Sequence, residues 1–190
     1  SNNLTSLDLS NNSNLRELNI SNNNFTELDI SNYSNLIVLN ISSNNFTELD
    51  VSNNSDLREL LAQANSNLAT LNINNINLEL LYVQSTALTS LDLSAHTNLN
   101  NLIVGNSTVL TALNVQNGNN STMGAGNFVS LSTPNLSCIT VDDPSYSNST
   151  WINVDSANTF STSCGPANAF NFDGMDDYAV ATNPSVLDIT

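Results

Sequence analysis

The residues of this chain best suited to acid–base work come as neighbours, Asp142 with Asp143 and Asp176 with Asp177. Two carboxylates acting on one bond must face each other across it, whereas adjacent residues on a strand diverge. The single histidine, His96, takes a slot that other half-repeats fill with Asn, and it reads as a solvated corner residue. No serine lies in a nucleophile-elbow context, and neither a phosphate loop nor an H-E-x-x-H motif is present. These residues predict no enzyme, no catalytic site, no metal and no cofactor. Asp173, Asp176 and Asp177 offer carboxylates to calcium, but the run D-G-x-D-D reads first as a turn joining two strands. Cys138 and Cys164 are the only cysteines. An isolated pair in an acidic, lysine-free chain reads as a disulfide rather than as metal or redox chemistry.

Charge narrows the partners. Two arginines, Arg16 and Arg58, and no lysine stand against 17 acidic residues, for a formal charge of −15. Nucleic acid binding depends on cationic side chains that release counterions, so it is excluded. An anionic membrane surface or a sulfated glycan would be repelled. No apolar run approaches the roughly 20 residues of a membrane span, so membrane insertion is not expected. Abundant Asn, Ser and Thr with an acidic surface suit a secreted or cell-surface protein. The N-x-S/T matches, such as Asn24-Phe25-Thr26, fall out of a repeat and say nothing of glycosylation.

That repeat runs from Leu4 to Val115 and positions everything else. Its unit is apolar, two residues, Leu, one residue, apolar, as in Leu15/Leu18/Ile20, Phe25/Leu28/Ile30, Leu36/Leu39/Ile41 and Phe46/Leu49/Val51. The unit recurs at steps of ten or eleven residues, and two classes alternate, LTSLDLS or FTELDIS with LRELNIS or LIVLNIS. A helix period does not explain this spacing; a short strand preceded by a turn does. Two steps make a solenoid turn of about 21 residues, a leucine-rich-repeat length. The predicted fold is mostly β: a leucine-rich-repeat solenoid with short parallel strands on both long sides, few or no helices, and a disulfide-closed C-terminal cap.

The outward positions differ between the two sides. On the L-D-L side, Asp8, Asp29, Asp50, Asn72, Asp92 and Asn114 make one column, and Ser10, Ser31, Ser52 and Ser94 another. The plain reading is that Asp and Ser satisfy nearby backbone groups and keep this side wet. The alternative is a cation-binding or ice-like array, although a flat column converges too few oxygens for calcium. The opposite side begins polar at Glu17, Asn19 and Ser21 and then changes character. Leu61, Tyr82 and Ile103 stack in one outward column, with Leu80 beside Tyr82 and Gln84 next along the chain. Leu61, Leu80, Tyr82, Gln84 and Ile103 are therefore the candidate binding residues, for an extracellular protein or a polysaccharide. The competing expectation is that a cap, loop or partner domain covers them and that the chain is a structural spacer in a larger protein.

The span Leu15–Ile30, with Asn23 and Asp29, resembles the IRREKO-type leucine-rich repeats of bacterial surface proteins, L-x-x-L-x-L-x-x-N-x-L-x-x-L-D-L. Asn44 and Asn65 continue the asparagine position, and Thr86 and Ser107 replace it, so a ladder of asparagines is expected only as far as Asn65. The stretches Asn135–Trp151 and Phe160–Cys164 look like the cap that follows such repeats, with Trp151 and Phe160 in its core. Asn171–Val180, NFDGMDDYAV, resembles the opening of laminin-G-like, concanavalin-type jelly-roll domains, which implies a truncated start resting on the cap or extending a sheet edge. The expected organisation is solenoid 1–120, capping region 121–166, and linker with truncated domain 167–190. The chain opens at Ser1 inside the repeat and reads as an excised fragment, so the lack of a signal peptide carries no weight. Two readings follow: a non-catalytic extracellular recognition or adhesion module binding a protein or glycan through a solenoid face, or a structural spacer in a larger secreted or surface-anchored multidomain protein that carries a carbohydrate-active module elsewhere.

Overall fold

A computed structural model describes residues 2–74 and 77–165. The jelly-roll resemblance and Asp173, Asp176 and Asp177 lie outside the described residues. The strands are β1 (Glu17–Asn19), β2 (Val38–Asn40), β3 (Glu48–Asp50), β4 (Glu59–Leu61), β5 (Thr70–Asn72), β6 (Leu80–Tyr82), β7 (Ser90–Asp92), β8 (Asn101–Ile103), β9 (Ala112–Asn114), β10 (Phe128–Ser130), β11 (Cys138–Thr140), β12 (Asn153–Val154) and β13 (Thr159–Ser161). One α-helix, α1 (Pro144–Thr150), and a 3-10 turn at Asn120–Thr122 complete the described elements.

The strands form a leucine-rich-repeat-like solenoid of about seven turns. One long side is a seven-stranded parallel sheet in the order β1-β2-β4-β6-β8-β10-β12. The other carries a two-stranded sheet, β3-β5, and a four-stranded sheet, β13-β11-β9-β7. Pairing is parallel and in register, so each inward side chain lies on its counterpart one turn away: Leu18 on Leu39, Leu60, Leu81 and Leu102. These leucines, together with Phe25, Phe46, Ile41, Val51 and Leu57, are buried between the two sides. Each such burial contributes about 1.5–3 kcal/mol, and a turn obtains it only from its neighbours. The first turn shows the converse, with Leu4 and Leu7 left 48% and 43% exposed.

Two corners join the sides. At the first, Asn22, Ser43, Ala64, Ser85, Asn106 and Ser132 all adopt left-handed backbone with φ between 55° and 62°. That conformation costs a non-glycine residue about 1–2 kcal/mol. It aims the backbone N–H of Asn22, Ser43, Ala64, Ser85 and Asn106 at a carbonyl of the next turn, at 2.8–3.0 Å. The following residue fills the corner. Asn44 donates from Nδ2 to the Ile20 and Ile41 carbonyls at 3.0 and 2.9 Å and accepts the Phe25 N–H at Oδ1. Asn65 repeats this with Ile41, Ala62 and Phe46. Thr86 reaches only the Val83 carbonyl of its own turn, and the buried Ser107 hydroxyl has no partner among the described residues. The asparagine ladder therefore ends at Asn65, because a hydroxyl is too short to bridge two turns.

The stack then absorbs an insertion. Tyr82 pairs with Ile103 at the usual spacing of 21 residues, but Ile103 pairs with Val129 at 26. The extra length leaves as the Asn117–Gly126 loop, pinned by Asp142, whose carboxylate accepts the Gly118 and Asn120 N–H groups. Gly105 is required at this step: a Cβ there would meet the Leu131 carbonyl oxygen at 2.9 Å. Residues 121–165 continue both sheets through β10–β13, so the region expected as a cap is itself built of stacked turns. Helix α1 starts because the Asp143 carboxylate accepts the Ser145 and Tyr146 N–H groups and Pro144 fits the first helical position. Trp151 stacks on Phe128 with ring centres 4.0 Å apart, meets Phe160 edge-on, and donates its indole N–H to the Met123 carbonyl at 2.9 Å. Cys138 on β11 is bonded to Cys164 beyond β13.

Two expectations follow. Leu49→Asp places a carboxylate at a position 3% exposed, which costs several kcal/mol. A melting temperature within a few degrees of wild type would show the inward side to be wrongly assigned. Opening the Cys138–Cys164 bond releases a 26-residue closure, worth about 3.5 kcal/mol in chain-entropy terms. Amide exchange around Trp151 should then rise before the regular turns melt; simultaneous melting would show that the bond does not hold this end.

Candidate binding face

Because strand side chains alternate, the seven-stranded sheet turns every second residue outward. Its register places Asn40, Leu61, Tyr82, Ile103, Val129 and Asn153 in one column, one residue per turn. Glu59, Leu80 and Asn101 form the parallel column beside it. Four apolar rungs are thus framed by an asparagine at each end, and all six residues of the column are partly exposed. Their neighbours along the column cover their flanks, while their outer faces stay open to contact.

Leu61, Leu80, Tyr82 and Ile103 are brought together on this side, and Gln84 follows just past β6. Val129 is the rung that repeat counting misses, because the insertion shifts it from 21 to 26 residues beyond Ile103. Leu131, 43% exposed, adds to the same end of the patch. The available signal was the triplet Phe128-Val129-Ser130, a strand-like run that resumes after the loop. Around Tyr82, the Gln63 Oε1, Gln84 Oε1 and Asn101 Oδ1 atoms are enclosed without a hydrogen-bond partner among the described residues. The four rungs carry no charge, and Glu59 stands beside them next to Leu80. The nearest ion pair, Arg58–Glu79 at 2.8 Å, joins two turns at the flank, and both side chains are well exposed. A pair so placed contributes about 0–1 kcal/mol.

The L-D-L side works differently. Asp8, Asp29, Asp50 and Asp92 each accept the backbone N–H of the serine two residues on, at 2.8–3.0 Å. Asn114 accepts the Gln116 N–H in the same way, and on the seven-stranded side Asn19 and Asn40 accept the Ser21 and Ser42 N–H groups. Asp50 and Asp92 thus end β3 and β7, Asp8 and Asp29 close the same kind of turn outside any strand, and the side is divided between two sheets rather than forming one continuous array. Asp8 titrates below the ordinary carboxylate range chiefly through the Ser10 N–H; Asp29 and Asp50 do so chiefly through the hydroxyls of Ser31 and Ser52. Among the described residues no three His, Cys, Asp or Glu side chains gather to hold a metal, and no helix is long and apolar enough to cross a membrane. Asp142 and Asp143 diverge, one pinning the loop and the other capping α1.

His96 departs from expectation. It is not a solvated corner residue but lies buried, 2% exposed, at the second corner. The reason is the stack: this slot points between turns. Tyr33 in the same slot sends its hydroxyl to the Leu9 carbonyl at 2.7 Å, Asn54 donates to the Ile30 and Tyr33 carbonyls, and Asn117 donates to the His96 carbonyl.

No family model matches the chain, and no curated protein does. Among solved structures it is similar to the functional domain of InlJ from Listeria monocytogenes, described as including a cysteine ladder, with 24% sequence identity and a TM-score of 0.46. The alignment covers 74% of this chain and 37% of that one, so the chain spans little more than a third of its length.

The serine–aspartate turns carry a pH expectation. A carboxyl lowered by folding contributes stability that is complete above its unfolded value and is lost as pH falls through the folded one. Asp29 should titrate below a free aspartate in a carboxyl NMR titration, and Ser31→Ala should move it back upward. An unchanged titration in Ser31→Ala would remove the hydroxyl as the main cause.

Proposed function

We propose that this chain is a non-catalytic recognition module of a secreted or surface-anchored protein, and that it takes a protein partner on the column Leu61, Tyr82, Ile103 and Val129. The observation that supports this reading is the contrast of that column with its surroundings. Four uncharged apolar rungs stand outward in register on a protein whose formal charge is −15. A polar side would serve a spacer equally well and would keep it more soluble. Three of the rungs are aliphatic, and these suit apolar side chains of a protein better than the hydroxyl rim of a sugar. Tyr82 is the anchor, combining a large contact area with a polar tip. The acidic surface turns away acidic partners and favours a neutral or basic one. On the residue pattern the repeats belong to the IRREKO type, and the Cys138–Cys164 bond fits an oxidising compartment outside the cytosol.

Probing protein and glycan arrays with wild type and Tyr82→Ala tests this. Binding to an arrayed protein should weaken by about 1–3 kcal/mol, or 5- to 150-fold, in Tyr82→Ala with the melting temperature kept. For a neutral partner it should depend weakly on salt, since the four rungs carry no charge. Signals confined to the glycan array would replace the protein reading by a sugar-binding one. Equal binding by Tyr82→Ala would place the site elsewhere.

A further inference from the structure

At the second corner, the backbone of His96 is a junction. Its N–H donates to the Leu93 carbonyl at 3.0 Å, and its own carbonyl accepts both the Leu99 N–H at 3.1 Å and Asn117 Nδ2 at 2.9 Å. Leu99 leads directly into β8, and Asn117 opens the inserted loop, so one residue ties a strand, a corner and the next turn together. The imidazole on this junction is 2% exposed, and neither Nδ1 nor Nε2 has a hydrogen-bond partner among the described residues. Tyr33, Asn54 and Asn117, in the same slot, all use their side chains to bond across turns. A ring enclosed this way is tolerated while neutral. Once charged, it would be a buried cation facing only the Leu93 carbonyl and the charge of Asp92, which do not replace the water it loses, and this drives it out of the stack.

We infer that His96 is an acid-sensitive latch: protonation expels its ring and opens the corner between Leu93 and Asn117. Burial is the largest influence on the ring and lowers its affinity for a proton; the approach of the Leu93 backbone carbonyl and the charge of Asp92, the charged group that faces it on its own turn, work against this and are outweighed. The next turn presents the uncharged Asn117 at this corner. The direction follows by linkage. With the closed-state value lowered, the open state takes the proton first, so stability is complete above the open-state value near 6.5 and is lost as pH falls through it. The opening constant should rise about tenfold per pH unit below about 6.5, until the closed state itself protonates. Because β8 carries Ile103, opening would also disturb the binding column; that consequence rests on the recognition reading above, whereas the opening itself does not.

The test is amide exchange at His96 and Leu99 between pH 7.5 and 5, corrected for intrinsic rates, in wild type and in His96→Asn. Asparagine is the residue found in this slot at Asn54 and Asn117. The wild-type opening constant should climb about tenfold per unit below about 6.5 and that of His96→Asn should stay flat. The same slope in both proteins, or no slope in wild type, overturns the inference. His96 is the only histidine, so its ring NMR signal gives a second reading on wild type alone. Protonation below the free-histidine value, together with loss of Leu99 protection, supports the latch; ordinary titration with an undisturbed Leu99 refutes it, even if the asparagine variant fails to fold.

Discussion

Everything in this molecule depends on the in-register stacking of one turn on the next. A three-residue strand has one inward side chain and no sheet of its own, so neither its apolar surface nor its backbone groups can be satisfied within the turn. Parallel pairing about 4.8 Å away supplies both at once. The price is register: a shift by one residue would turn each inward leucine outward. The corners prevent that shift. Left-handed residues recur at the same point of each turn and aim an N–H at the neighbouring turn, and Asn44 and Asn65 bridge two turns with one amide.

The two corners are not equivalent. The first loses its amides after Asn65 and continues on shorter hydroxyls, Thr86 and Ser107, which no longer reach across. The second bonds between turns through Tyr33, Asn54 and Asn117, whereas His96 fills the space with a ring whose nitrogens have no hydrogen-bond partner among the described residues. Both changes fall in the part of the stack that also carries the apolar column and the five-residue insertion. The aromatic trio of Phe128, Trp151 and Phe160, the helix α1 and the disulfide lie just beyond, on the turns that follow the insertion.

Function, on this view, is written on the outward residues that stacking leaves free. On the L-D-L side those residues close Asp–Ser turns and stay wet, which accounts for the regular Asp and Ser without any ligand. On the seven-stranded side the same freedom is used for Leu61, Tyr82, Ile103 and Val129. Their alignment follows from a register set by the core and the corners, so the proposed surface is ordered in advance of any partner.

The parallel solenoid, the inward columns and the end of the asparagine ladder at Asn65 could be read from spacing, because periodic burial leaves a periodic mark in the chain. The outward grouping of Leu61, Tyr82 and Ile103 was legible for the same reason. Three things were not. Val129 joined the column only once the loop between Asn117 and Gly126 was seen to leave the stack, since an insertion breaks counting without breaking pairing. Helix α1 had its signal in Asp143-Pro144, but seven residues show no apolar period. His96 looked solvated because a polar residue at a corner usually is. Whether a corner residue points to water or between turns is set by the backbone of the adjacent turn, 21 residues away, and local sequence holds no record of that direction.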